Sequence, residues 1–133
     1  MPKKERCIMN KMLEIKKWAV LGATDDQSKF GYKILKRLGE KGYTVYGINP
    51  KYDEIEGIKI ASSVEQLPEK VEGISVIVNP KIALNSLETI KEHGIKNLWF
   101  QPGSYNDEVI NKAKELGFNI ENNQCLYVEL GKL

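Results

Sequence analysis

Short apolar runs, each stopped by a turn signal and followed by a helical stripe, constrain this chain more than any other feature. Trp18-Ala19-Val20-Leu21 ends at Gly22, and Val45-Tyr46-Gly47-Ile48 ends at Asn49-Pro50. Ser75-Val76-Ile77-Val78 ends at Asn79-Pro80, and Asn97-Leu98-Trp99-Phe100 ends at Gln101-Pro102-Gly103. Proline cannot donate to a sheet ladder and pushes its predecessor away from helix, so these runs read as strands with fixed ends. Between them, Phe30, Ile34, Leu35 and Leu38 recur at helical spacing, as do Ala83, Leu84, Leu87 and Ile90, and then Val109, Ile110, Ala113 and Leu116. Two shorter strands are expected at Ile58-Lys59-Ile60, after a turn at Glu56-Gly57, and at Phe118-Asn119-Ile120. Ser62 and Glu65 have capping-box spacing for a short helix, His93-Gly94 reads as a helix C-terminus, and Gln124 to Leu130 reads as a terminal helix or tail.

Apolar strands separated by crossover helices predict a mainly parallel sheet of about five strands with helices on both faces, a Rossmann-like arrangement. The 133 residues suit a single α/β domain. Residues 1–13 are mostly polar and offer Met9 and Met12 as alternative starts, so they read as a poorly ordered extension, with the domain at 14–133. A net charge of +2, with lysines spread among acids, gives no reason to expect nucleic acid. No apolar run approaches the roughly 20 residues of a membrane span, and no signal-peptide core follows the charged start. Cys7 and Cys125 are too few for a disulfide framework and read as free thiols in a reducing, cytoplasmic setting.

Ligands of such sheets bind beyond the carboxyl ends of the strands, where the strand order reverses. The loop Gly22-Ala23-Thr24-Asp25-Asp26-Gln27-Ser28-Lys29-Phe30-Gly31 follows the first strand. It is not G-x-G-x-x-G, because threonine and glutamine stand at 24 and 27. Even so, Gly22 lets backbone approach a ligand, and Thr24 offers a hydroxyl. The helix starting near Ser28, Lys29 and Phe30 presents free N–H groups to a pyrophosphate. At the end of the second strand a dinucleotide site wants an acid for the ribose hydroxyl, whereas this chain has Asn49-Pro50-Lys51. A lysine there suits a ribose bearing an extra phosphate, which leaves NADP and coenzyme A both open.

Taken in order, the motifs resemble a known family. From about Lys16 to Cys125 the chain is similar to the small stand-alone CoA-binding proteins, and through them to the CoA-binding domain of the succinyl-CoA synthetase α subunit. The resemblance rests on Ala19 to Thr24, Gly42-Tyr43 with Val45, and Gly47-Ile48-Asn49-Pro50-Lys51. It continues through Ile55-Glu56-Gly57, Trp99-Phe100-Gln101-Pro102-Gly103, Asn106 and Cys125. It implies a coenzyme A or acyl-CoA site formed by Gly22, Ala23, Thr24, Ser28, Lys29, Phe30, Asn49, Pro50, Lys51, Asn79, Pro80, Gln101, Pro102, Gly103 and Cys125. Two departures remove charge near that site. Val78-Asn79-Pro80-Lys81 lacks the family's arginine and Pro-Glu pair, and Asn123-Gln124 replace an Asp-Arg before the cysteine.

No catalytic constellation is expected. His93 is the single histidine and reads as a helix cap, and no spacing suits a metal. Cys125 reads first as a small buried residue, with a mixed disulfide to the pantetheine thiol as the sharper alternative. The expected function is therefore a non-catalytic CoA or acyl-CoA carrier, sensor or regulatory module. The alternatives are an NADP-dependent oxidoreductase or nucleotide sensor, and the CoA-binding subunit of a multi-chain acyl-CoA ligase.

Overall fold

The computed structural model describes Met9 and residues 11–133; Cys7 lies outside them. One seven-stranded sheet organises the chain. Its strands are β1 (Lys17–Leu21), β2 (Thr44–Ile48), β3 (Glu54–Ile55), β4 (Ile58–Ala61), β5 (Gly73–Val76), β6 (Asn97–Phe100) and β7 (Asn119–Glu121). The spatial order is β3-β4-β2-β1-β5-β6-β7. All pairs are parallel except β3 with β4. Among the described residues after β1, α1 (Phe30–Glu40), α2 (Pro80–Glu92), α3 (Asp107–Glu115) and α4 (Leu126–Leu130) connect and close it.

The apolar runs do not alternate with polar residues because both faces of the sheet are covered. On one face Ile74, Val76, Leu98 and Phe100 pack with Ala83, Leu87 and Ile90 of α2 and Val109 and Ala113 of α3. On the other, Trp18, Val20 and Trp99 pack with Ile34, Leu35 and Leu38 of α1 and Leu126 and Leu130 of α4. Ile34, Leu35 and Leu38 are fully buried, and each such side chain contributes about 2 kcal/mol by area removed from water. Ser75 is the exception among the strand residues: its hydroxyl is buried and bonds to no protein group.

Several expectations are corrected in detail. The sheet has seven strands rather than about five; the most easily overlooked is β3, only two residues long. It pairs with β4 around Glu56 (φ 48°) and Gly57 (φ 85°), the backbone a two-residue hairpin requires. β5 runs Gly73–Val76, two residues earlier at each end than the expected Ser75–Val78, and its first position is glycine because the Trp18 ring lies where a side chain would stand. The Ser62–Glu65 capping box does not form. Ser63 precedes a single 3-10 turn, Val64–Gln66, and makes no side-chain cap bond. The boundary at residue 13/14 cuts through packed structure, since Met9 and Met12 are buried against Trp18's side of the sheet. The two helices after Asn-Pro and Asn-Asp are capped by Asn79 and Asn106, which accept from the N–H groups of Ile82 and Val109. His93 stands at the C-cap of α2 with its Nδ1 2.9 Å from the Thr89 carbonyl.

Of the glycine positions, Gly31 is the most tightly confined, where α1 meets the residue after β1. A Cβ at Gly31 would lie 2.2 Å from the Gly22 carbonyl oxygen. Gly39, in the same helix, would make only ordinary contacts at 3.7 Å and beyond. Gly31→Ala is therefore expected to destabilise by about 3 kcal/mol through overpacking against backbone. Gly39→Ala is expected to stabilise by about 0.5–1 kcal/mol through chain entropy. Urea unfolding of the two variants measures this; effects of the same sign would show that the α1–β1 contact is not tight.

Candidate functional site

β1 lies between β2 and β5, with α1 on one face of the sheet and α2 on the other. Its carboxyl end is the switch point at which a crevice must open. Two cavities open there. The first, about 690 Å³, is lined by Gly22, Thr24, Asp25, Asp26, Ser28, Lys29, Phe30, Gly31, Asn49, Lys51, Tyr52 and Ile77. The second, about 450 Å³, lies toward α2, and Leu21, Ile48, Val64, Val78 and Ile82 give it an apolar wall. Gly22 and Asn49 belong to both, so the two cavities adjoin across the ends of β1 and β2.

Gly22 has φ +102°, and a Cβ there would meet the Ile77 carbonyl at 2.9 Å. Only glycine lets β1 turn out of the sheet against β5 in this way. Asn49 fixes the other strand end. Its Nδ2 donates to the Ala23 carbonyl at 2.8 Å, its Oδ1 accepts from the Lys51 N–H at 2.9 Å, and its own N–H donates to the Ala61 carbonyl. Ala23 is thus buried beneath the groove and contributes backbone, while Pro50 and Lys51 stand exposed at its wall.

The loop entering α1 is held by its own side chains. Ser28 donates to Asp26 Oδ1 from its hydroxyl at 2.6 Å and from its N–H at 3.0 Å, which holds the Asp26 carboxyl below the usual carboxylate range. Tyr52 reaches back from the β2 loop to donate to Asp25 Oδ1 at 3.0 Å, and its oxygen is 3.3 Å from Thr24 Oγ1. α1 itself starts without help. Lys29 is its N-cap residue, no side chain makes a cap bond, and no acid occupies its first turn. The N-terminal N–H groups of this helix are therefore left to a ligand or to solvent on the wall of the polar cavity. Phe30 is 44% exposed on that wall and meets Tyr127 of α4 edge to face, with centroids 6.0 Å apart. Arg37 stacks on the same Tyr127 ring and bonds its carbonyl and hydroxyl, which ties α4 to α1.

The structure brings Gly22, Thr24, Ser28, Lys29, Phe30, Asn49, Pro50 and Lys51 onto the two cavity walls, with Ala23 beneath. Asn79 and Pro80 begin α2, and the Asn79 side chain is committed to its cap. Gln101, Pro102, Gly103 and Cys125 line neither cavity. Gln101 is buried as a clamp: Oε1 accepts from the Leu126 N–H at 2.8 Å and Nε2 donates to Cys125 Sγ at 3.2 Å. Cys125 is the N-cap residue of α4 and only partly buried. Sequence reasoning missed Tyr52, the Ser62–Glu65 segment and the Ile82–Thr89 side of α2. The segment 62–65 follows β4, so the strand-end rule applied to a fourth parallel strand would have found it. Among the described residues no cluster of three or more His, Cys, Asp or Glu could hold a metal ion, and no helix is long and apolar enough to cross a membrane.

Comparison with known proteins identifies the family. The chain matches the CoA binding domain family over residues 16–131 and belongs to it. It is 37% identical over 105 residues to an ADP-forming acetate–CoA ligase of Methanocaldococcus jannaschii, a stretch that is 74% of this chain and 14% of the ligase. It is 26% identical over 113 residues to the uncharacterized protein YneT of Bacillus subtilis, covering 85% of this chain and 84% of that one. Among solved structures it is similar to a hypothetical protein from Pyrococcus horikoshii OT3, with TM-score 0.88, 36% identity and coverage of 97% and 91%. The chain thus spans less than a fifth of the ligases it matches, and most of the small proteins.

Asn49 gives this geometry its test. Asn49→Ala loses one donated and one accepted bond and is expected to cost about 1–2 kcal/mol. Asn49→Asp keeps the size but turns a carboxylate oxygen on the Ala23 carbonyl, and is expected to cost more. Chemical unfolding at neutral pH reads the order; a milder loss for the aspartate would mean that the Ala23 contact does not hold the loop.

Proposed function

We infer that this chain binds coenzyme A across the carboxyl ends of β1 and β2. The observation that carries the reading is the open N-terminus of α1 on the wall of a cavity that also holds Lys29 and Lys51. A helix end left without its cap is an anion site in waiting, and the Gly22–Thr24 backbone lets a diphosphate come close. Coenzyme A is a diphosphate with an adenosine 3′-phosphate on one side and a pantetheine arm on the other. The apolar second cavity suits the adenine ring, which would lie among Leu21, Ile48, Val64 and Val78. Lys51, at the end of β2 on the polar cavity's wall, would meet the ribose phosphate. The pantetheine arm would then leave past Phe30 and Ile77, on the α1 side. The family supports this ligand, and the role proposed for the chain is that of a carrier, sensor or regulatory module without chemistry of its own. A second reading, that of a CoA-binding subunit working with separate ligase chains, draws support from the acetate–CoA ligase relatives.

Thermal unfolding with added ligand tests the choice. A ligand at a hundred times its Kd stabilises the native state by about 2.7 kcal/mol, and CoA is expected to do this at lower concentration than NADP or NAD. The reverse order would refute CoA as the ligand. Lys51→Glu is expected to weaken CoA roughly tenfold or more and dephospho-CoA by about twofold or less, since only the former carries the phosphate facing residue 51. Calorimetric titration of both ligands checks it, and equal losses would remove Lys51 from phosphate recognition.

A further inference from the structure

The polar cavity carries two acids where a diphosphate is to sit, Asp25 and Asp26, beside the two lysines 29 and 51. Both carboxylates line the cavity that α1's open end shares, three and four residues before its cap position Lys29, and a negative charge is favoured at such an end. Neither plays that part. Asp26 is held by the N–H and hydroxyl of Ser28. Asp25 is held from the opposite side of the cavity, by Tyr52.

The direction of these bonds follows from the donors available. A phenol has one proton, and Tyr52 spends it on Asp25 Oδ1 at 3.0 Å. The Thr24 hydroxyl, 3.3 Å from the Tyr52 oxygen, must then donate to it, and Thr24 Oγ1 in turn accepts from the Asp26 N–H at 3.2 Å. One chain therefore runs from the Asp26 N–H through Thr24 and Tyr52 to the Asp25 carboxylate. The half-buried Tyr52 ring packs against the core on the α1 side of the sheet, which anchors the hydroxyl's approach to Asp25.

We propose that Tyr52 is a positioning residue that holds the Asp25 carboxylate off the N-terminus of α1, keeping that end open for the phosphates of the ligand. This rests on the CoA reading for the ligand, but the competition it describes is internal to the protein. Without the phenol, Asp25 swings to the N–H groups of Phe30 and Gly31 and occupies the anion site itself. The role is one of specificity against the protein's own charge. It accounts for why a loop with two acids can face a phosphate at all.

The test is a double-mutant cycle of Tyr52→Phe and Asp25→Asn, read by CoA titration and by amide hydrogen exchange of the free protein. Tyr52→Phe keeps the packed ring and is expected to weaken CoA about five- to tenfold, the range set by an aspartate cap competing for the site. Its free form is expected to unfold at the wild-type temperature or above. The Phe30 and Gly31 amides should become more protected. Asp25→Asn in the Tyr52→Phe background should restore both affinity and exchange to those of Asp25→Asn alone. A loss of affinity that persists in the double variant overturns the proposal, as does unchanged exchange at Phe30 and Gly31. If the wild type binds no CoA, the ligand reading falls, and the amide measurement on the free proteins still decides the role of Tyr52.

Discussion

Helix α1 can press against the end of β1 only because position 31 carries no side chain, with the Gly22 carbonyl 2.2 Å from where a Cβ would stand. This contact sets the height of the helix over the sheet. It therefore sets where the first turn of α1 meets the crevice, and it brings Lys29 and Phe30 to the same wall as Thr24 and Lys51. The dinucleotide fingerprint assigns close helix–strand packing to a third glycine. That residue is absent at its usual spacing in this loop, yet Gly31 does the same steric work further along. A longer loop, 22 to 29, is the result, and it is long enough to carry its own acids and the Ser28 and Thr24 bonds that restrain them.

The two sides of the crevice differ because their helices begin differently. Asn79 closes the start of α2 with its own side chain, so that side offers no open N–H groups of this kind and its cavity is walled by Leu21, Val78 and Ile82. α1 begins at a lysine with no cap bond, so its side is polar, with Lys29 and Lys51 facing Asp25 and Asp26 around the open helix end. One fold thus places an apolar slot and an anion-receptive hollow next to each other, separated by Gly22 and Asn49. A ligand with an apolar ring and a charged middle fits that division; a uniformly polar one uses only half of it.

Much of this was legible in the sequence, for physical reasons that can be named. The ends of β1, β2 and β6 were readable because Gly22, Asn49-Pro50 and Gln101-Pro102 interrupt ladders by their own covalent geometry, whereas β5 stops at Val76, with two residues between it and the Asn79-Pro80 signal. The parallel sheet then points to those ends as the candidate site. Thr24, Lys29 and Lys51 follow from that rule alone. What stayed hidden depends on contacts between segments distant in sequence. Tyr52 looks like one more loop residue until the β2 loop is folded back over Thr24 and Asp25. Gln101 looks like a loop residue facing ligand, but the arrival of α4 turns it inward to bind the Leu126 N–H. The glycine that opens β5, Gly73, is required by the Trp18 ring, fifty-odd residues away in the chain. β3 is too short to leave a pattern and exists because the Glu56-Gly57 turn returns the chain onto β4.

Both tryptophans of the chain lie on the same side of the sheet, in the core under α1 and α4, and none lies on the α2–α3 side. Their indole N–H groups donate to backbone carbonyls at opposite ends of the chain, Trp18 to Ile15 and Trp99 to Gln124. Intrinsic fluorescence is therefore a one-sided optical probe. It registers loosening of the N-terminal segment or of the approach to α4, and it is nearly blind to events among α2 and α3. Unfolding followed by emission and by far-ultraviolet dichroism need not coincide in this protein, and any gap between the two curves would report that the layers on the two faces of one sheet come apart separately.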